Sequence, residues 1–158
     1  MKQNEIKIWV YADWEFLEEA QLMGFLTSQC VRGKEIFSFE YTATWVNKQN
    51  PILFLDPHLG FYKGKQYLLE EKNNFGIFLD SSPDRWGRLL MRRREAWQAK
   101  EEGREERTLF ESDFLLGVFD GHRMGGVRFK LREDGAFMND QKKMATPPWT
   151  SLRELEHA

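Results

Sequence analysis

Glu35-Ile36-Phe37-Ser38-Phe39-Glu40-Tyr41 decides the fold class of this chain. Its rings fall at every second position, so Phe37, Phe39 and Tyr41 share one face of an extended strand. Working back from there, Ile6, Ile8 and Val10 alternate with Lys7, Trp9 and Tyr11, the period of a half-buried strand. Gln21 to Gln29 is apolar enough for a strand between them, and Gly24 inside it marks a bulge or a close backbone approach. Gly33 punctuates the chain before the aromatic segment. The connections are too short for parallel crossovers, which predicts an antiparallel meander.

Working forward, Asn47 to Pro51 reads as a turn, and Ile52 to Leu55 as a short buried segment ended by Asp56-Pro57. Gly60 and Gly64 break the mixed segment Phe61 to Leu69. Phe75-Gly76-Ile77-Phe78-Leu79 is apolar throughout and predicts core. Ser82-Pro83-Asp84 then offers a capping hydroxyl, a proline for the first helical position and an acid for the first turn. The helix it opens carries Trp86, Leu90 and Trp97 at helical spacing, with Leu89 beside them and Arg93 at the edge of the stripe. That helix runs to about Glu102, where Gly103 can end it, and the charged run 100–107 is a solvated connector. Thr108 and Glu111 have the spacing of a capping box for a second helix over Phe114-Leu115-Leu116, ending near Gly117. Asp120-Gly121 to Gly125-Gly126 is a loop, and Val127 to Leu131 a strand. Glu133-Asp134-Gly135 makes a hairpin turn into Ala136 to Met138. Residues 139–158 read as a polar linker, with prolines at 147 and 148, followed by the start of a helix opened by Ser151 and Glu154. The chain therefore divides into a domain over 1–138 and a linker with a broken helix over 139–158.

Bulk composition narrows the function classes. Hydrophobic residues make up 41% of the 158 positions and charged residues 30%, so the chain can bury a core and stay in solution. Six Trp, four Tyr and thirteen Phe let a modest domain hold a firm core. A net charge of −2 argues against a global footprint for nucleic acid. A single cysteine, Cys30, cannot close an internal disulfide and points to a reducing, cytoplasmic compartment. Charges interrupt every apolar run, which predicts neither a signal peptide nor a membrane span.

Several motifs now stand in order along the chain. Phe78-Leu79-Asp80-Ser81-Ser82-Pro83-Asp84-Arg85-Trp86-Gly87-Arg88-Leu89-Leu90 resembles the "F-x-D-S-L-P-D-x-W-G-R-x-L" stretch of HipA-type serine/threonine kinase toxins. Leu116-Gly117-Val118, then Gly121 and Arg123-Met124-Gly125-Gly126-Val127-Arg128-Phe129, resembles that family's "L-x-G-V … G-R-M-G-A-L-R-F". His122 adds one residue between the glycine and the arginine. Phe37-Ser38-Phe39-Glu40-Tyr41 is similar to the family's early "F-x-F-x-Y" strand, and Pro147-Pro148-Trp149 onward to the lead into its kinase core. The resemblance runs from Ile6 to Ala158. It implies an α+β module with a small, antiparallel, barrel-like sheet and two main helices. It also implies a place at the N-terminus of a bacterial toxin–antitoxin kinase, packed on the kinase core and helping to form contacts with a DNA-binding antitoxin. Phosphoryl transfer needs a phosphate-cradling loop, metal-binding acids and an orienting base. The chain has no "H-x-x-D-x-x-x-x-N" stretch and no later Asp-x-Gly for magnesium, so no activity is expected of it alone. Two other readings stand beside this one. The chain could be a stand-alone antitoxin that restrains a separate kinase of this family, or a small nucleic-acid-binding domain using the 85–94 helix.

The candidate interface residues are Arg85, Trp86, Arg88 and Arg92. Trp and Arg dominate protein interfaces more often than other residues do. The competing reading packs Trp86 on the sheet, with Gly87 permitting close approach. Arg85, Arg88 and Arg92 share one helical face that could meet phosphate, but Glu95, Glu101 and Glu102 favour a solvated face with intrahelical ion pairs. Gly125-Gly126 ahead of Val127 is read as a tight turn into an edge strand rather than a phosphate loop, since no helix follows it. His58, His122 and His157 are scattered without ligand spacing, Cys30 reads as a small core residue, and no metal or cofactor is expected.

Overall fold

The structure is a computed structural model that describes residues 5–48, 55–68, 72–120, 123 and 126–138. Three long strands come first: β1 (Glu5–Ala12), β2 (Gln21–Val31) and β3 (Lys34–Tyr41). They form the expected meander, each antiparallel to the next. Arg32 and Gly33 take positive φ, 52° and 78°, and close the β2–β3 hairpin in two residues. Gly24 serves both of its expected uses. It lies at the register shift where Val10 pairs with Gly24 but Tyr11 pairs with Leu22. A Cβ on it would stand 2.4 Å from the Glu40 carbonyl oxygen and 2.6 Å from the Phe39 ring.

Two short strands complete the sheet, β4 (Gln66–Tyr67) on β3 and β5 (Val127–Lys130) on β1, in the order β4-β3-β2-β1-β5. The architecture is α+β with an antiparallel sheet. The sheet does not close, and β4 and β5 are its two edges.

The helices are α1 (Ala43–Asn47), α2 (Gly76–Asp80), α3 (Arg85–Glu101) and α4 (Glu111–Gly117). α1 lies just ahead of the predicted turn. Thr42 caps it by accepting from the Trp45 N–H. The apolar run Phe75–Leu79 folds as α2 and supplies core, with Phe75 and Phe78 fully buried. On the inner face of the sheet, Phe39 stands 4.9 Å from Tyr41 and 5.4 Å from Phe78, which in turn reaches Phe129 of β5 at 6.1 Å. These edge-on and tilted rings span the sheet from β3 to β5. Leu115 of α4 closes the same core.

Short helices gain little from propensity and need their ends satisfied by other parts of the chain. Asp56, 1% exposed, does this for α2 by accepting from Ile77 N–H at 3.0 Å, and it also accepts from His58 N–H. Glu35 of β3 does it for α4, accepting from Ser112 N–H at 3.1 Å and from the Ser28 hydroxyl.

Several expectations are corrected. The cap of α3 is Asp84, whose carboxylate accepts from Gly87 N–H at 2.8 Å, while the Ser82 hydroxyl donates to the Phe78 carbonyl. Ser82 is tied back to the end of α2 by that bond and by its N–H to the Leu79 carbonyl, so the cap of α3 falls to Asp84. The cap of α4 moves from Thr108 to Phe110, whose N–H donates to Asp113, because Glu111 turns to Arg88. Ala136–Met138 forms no strand; a Met138 N–H bond to the Phe129 carbonyl ties it down. Cys30 is half-buried on β2 rather than in the core. The expectations for Ile52–Phe54, the glycines at 121 and 125, and the linker and helix over 139–158 lie outside the described residues.

Candidate partner interface

α3 is an amphipathic helix turned inside out. Its buried residues are Glu95 and Ala99, while Trp86 is 55% and Trp97 62% exposed. At 3.6 residues per turn, Trp86, Leu90 and Trp97 fall on one line, and Glu95 lies about two and a half turns beyond Trp86, on the opposite side. The stripe seen in the sequence is real, but it faces outward. Trp86 therefore does not pack on the sheet, and Gly87 permits a different close approach: its Cβ would lie 2.8 Å from that of Pro83, beside the cap.

Polar contacts explain the inversion. Arg88 makes a two-pronged ion pair with Glu111, Nη1 to Oε1 at 2.5 Å and Nη2 to Oε2 at 2.9 Å, and its guanidinium lies 4.9 Å from the Phe114 ring centre. Arg92 stacks over the same ring at 5.3 Å. Glu95 accepts from Arg104 Nη1 at 2.6 Å and from Arg107 N–H at 3.0 Å. These bonds hold its carboxyl down at about 2, against an ordinary value of 4.5, and hold the Arg104 guanidinium above its usual range. The connector is exposed as expected, yet Arg104 folds back from it to pin α3. The ion pairs at Arg88 and Glu95 cross between elements rather than running along the helix, because α4 and the connector place their charges within reach.

The four candidate residues thus divide. Trp86 stands on the outward side, Arg85 is exposed about 100° round from it, Arg92 is exposed with its guanidinium over Phe114, and Arg88 is drawn in between α3 and α4. Trp97, which the sequence reading assigned to the packed stripe, joins Trp86 outside. Leu89 is 37% exposed beside them.

Sequence reasoning missed the structural role of Arg123. Its side chain, 2% exposed, donates to the Leu115 carbonyl at 2.6 Å and the Val118 carbonyl at 3.1 Å, and lies over the Phe129 ring at 4.5 Å. It closes the C-terminal end of α4, where carbonyls lack helical partners. Burial pushes its pKa down to about 10 against the opposing charge of Asp120. Arg128 takes the other side of Asp120 at 2.5 Å and reaches Asp13 at 3.3 Å. Gly126, with φ of 63°, enters β5 directly, as a tight turn into an edge strand requires. A Cβ there would meet the Trp14 ring at 2.5 Å.

Elsewhere, Trp14, Trp45, Phe61 and Lys48 help line a cavity of about 60 Å³, too small for a nucleotide. Among the described residues, no cluster of three or more His, Cys, Asp or Glu could hold a metal ion. His58 meets Lys72, and His122 and His157 lie outside the described residues. No described helix is long and apolar enough to cross a membrane. Comparison with protein-family models, curated proteins and solved structures finds no match.

Proposed function

We propose that the chain is the N-terminal regulatory and interaction module of a HipA-like toxin–antitoxin serine/threonine kinase. The motif order supports this reading: Phe37–Tyr41, Phe78–Leu90, Leu116–Val118 and Arg123–Phe129 follow the family's sequence. The observation that carries the interaction half of the reading is the outward line of Trp86 and Trp97 on a helix whose other side is pinned by ion pairs. Large exposed rings on a helix are the anchors that protein interfaces bury. The partner in this reading is a HipA-type kinase core, in the same chain or in another, with a DNA-binding antitoxin as a further partner. The reading places the module in the cytoplasm, in keeping with a lone cysteine.

The test is co-purification of the chain with a kinase core of this family that lacks its own N-terminal module, scored by complex formation and autophosphorylation. A complex that changes phosphorylation, and is lost in Trp86→Ala with the fold intact, supports the module. A folded chain that binds no core and alters no activity overturns it.

A further inference from the structure

We infer that the outward face of α3 takes an apolar helix with acidic flanks, an inference that rests on the reading of α3 as a docking face. Trp86 and Trp97 are eleven residues apart, about three turns and about 16 Å along the axis. The length matches three turns of a helix laid alongside, ridge into groove. A helix suits this face better than a strand. The backbone of α3 is already hydrogen-bonded within itself and presents side chains only, whereas an added strand needs an open sheet edge.

Charge settles the flanks. Arg93 falls along the line between Leu90 and Trp97, Arg85 lies about 100° round from Trp86, and Lys100 stands near Trp97, all exposed. Their side chains make no ion pair or hydrogen bond with a described residue. Three acids of α3 and its ends are engaged elsewhere. Glu95 is turned inward to Arg104, Asp84 holds the cap at Gly87, and Glu102 pairs with Arg104. Glu101, one turn beyond Trp97, adds a negative charge at that end. A partner helix therefore gains most from carboxylates facing Arg85 and Arg93, where like charges would be rejected. A nucleic acid strand fits less well. Base stacking uses rings lying in a groove with converging cations, and α3 sets its rings on a convex ridge.

The test uses the full chain and three probes: two synthetic helical peptides of about 20 residues sharing one leucine stripe, flanked by Glu in one and Lys in the other, and an oligothymidylate of similar length. Titration follows tryptophan fluorescence and the anisotropy of the labelled probe. The acidic peptide should bind at least about tenfold tighter than the basic one, with the gap narrowing as salt rises. Arg85→Glu with Arg93→Glu should reverse that order while leaving the thermal melt unchanged. Trp97→Ala should weaken the acidic peptide about tenfold or more. Equal affinity for both peptides, binding of neither, or tighter binding of the oligonucleotide would overturn the inference. The kinase-core capture separates the two claims. Capture that is indifferent to salt and to the double reversal keeps the module and removes the acidic partner. Failed capture with intact acidic-peptide preference removes the module and keeps the acidic partner.

Discussion

Trp86 and Glu95 stand on opposite sides of α3, with the tryptophan in solvent and the carboxylate 7% exposed against Arg104. The first consequence concerns stability. Trp86→Ala and Trp97→Ala should each leave the folding free energy within about 0.5 kcal/mol of the parent chain. A tryptophan packed in the core would lose about 3–5 kcal/mol on the same change. Urea unfolding curves for the two variants decide between these outcomes.

Glu95 should set part of the acid sensitivity. Its folded carboxyl titrates at about 2 rather than 4.5, through bonds from Arg104 and the Arg107 N–H. A lowered pKa contributes stability that is fully present above about 4.5 and is lost as pH falls toward 2. Glu95→Gln should flatten the stability profile in that window and leave its neutral limb parallel to the parent. Denaturant midpoints measured from neutral pH downward test this; an unchanged acid limb refutes it.

Tyr41 has the opposite sign at the alkaline end. Burial, with Asp56 adding to it, raises its hydroxyl from 10.0 to about 12. The folded form keeps its proton while the unfolded chain ionises, so stability holds below 10 and declines between 10 and 12. An ultraviolet difference titration should show a late ionisation that disappears in Tyr41→Phe.

Gly24 is fixed by space rather than by backbone angle. In Gly24→Ala the new methyl meets the Glu40 carbonyl at 2.4 Å, and that backbone is held in the β2–β3 ladder. The loss should be about 2–3 kcal/mol. Gly117→Ala makes a useful control, because the atom it meets is the far end of the flexible Met91 side chain. Thermal melts of the pair should differ clearly, with the residue 24 variant the weaker.

Arg123→Met should lose about 3 kcal/mol or more, since it strips the Leu115 and Val118 carbonyls of a buried donor and leaves Asp120 to Arg128 alone. Hydrogen exchange should report the loss first at α4, whose end the guanidinium closes. A variant as stable as the parent would remove Arg123 from the structural account.

Local pattern alone determined β1, β2, β3 and β5 and much of the core, while β4 was not legible. Phe37, Phe39 and Tyr41, or Ile8 and Val10, must share a face wherever the strand lies, because side chains alternate with period two. α3 was legible in the same way from its spacing, α4 was placed by a Thr108–Glu111 capping box that the structure replaces with Phe110 and Asp113, and Gly24, Gly33 and Gly126 were legible from their lack of a side chain. Tertiary structure decided which way α3 faces. A stripe of Trp86, Leu90 and Trp97 reads as a core face in any sequence, but Glu111, Phe114 and Arg104 lie within reach of its other side only once the chain is folded. Tertiary structure also decided the caps, since Asp56 and Glu35 serve helices 21 and 77 residues away. Periodicity is a property of neighbours along the chain. Burial of charge depends on partners that are distant in sequence and close in space, so no local pattern can announce it.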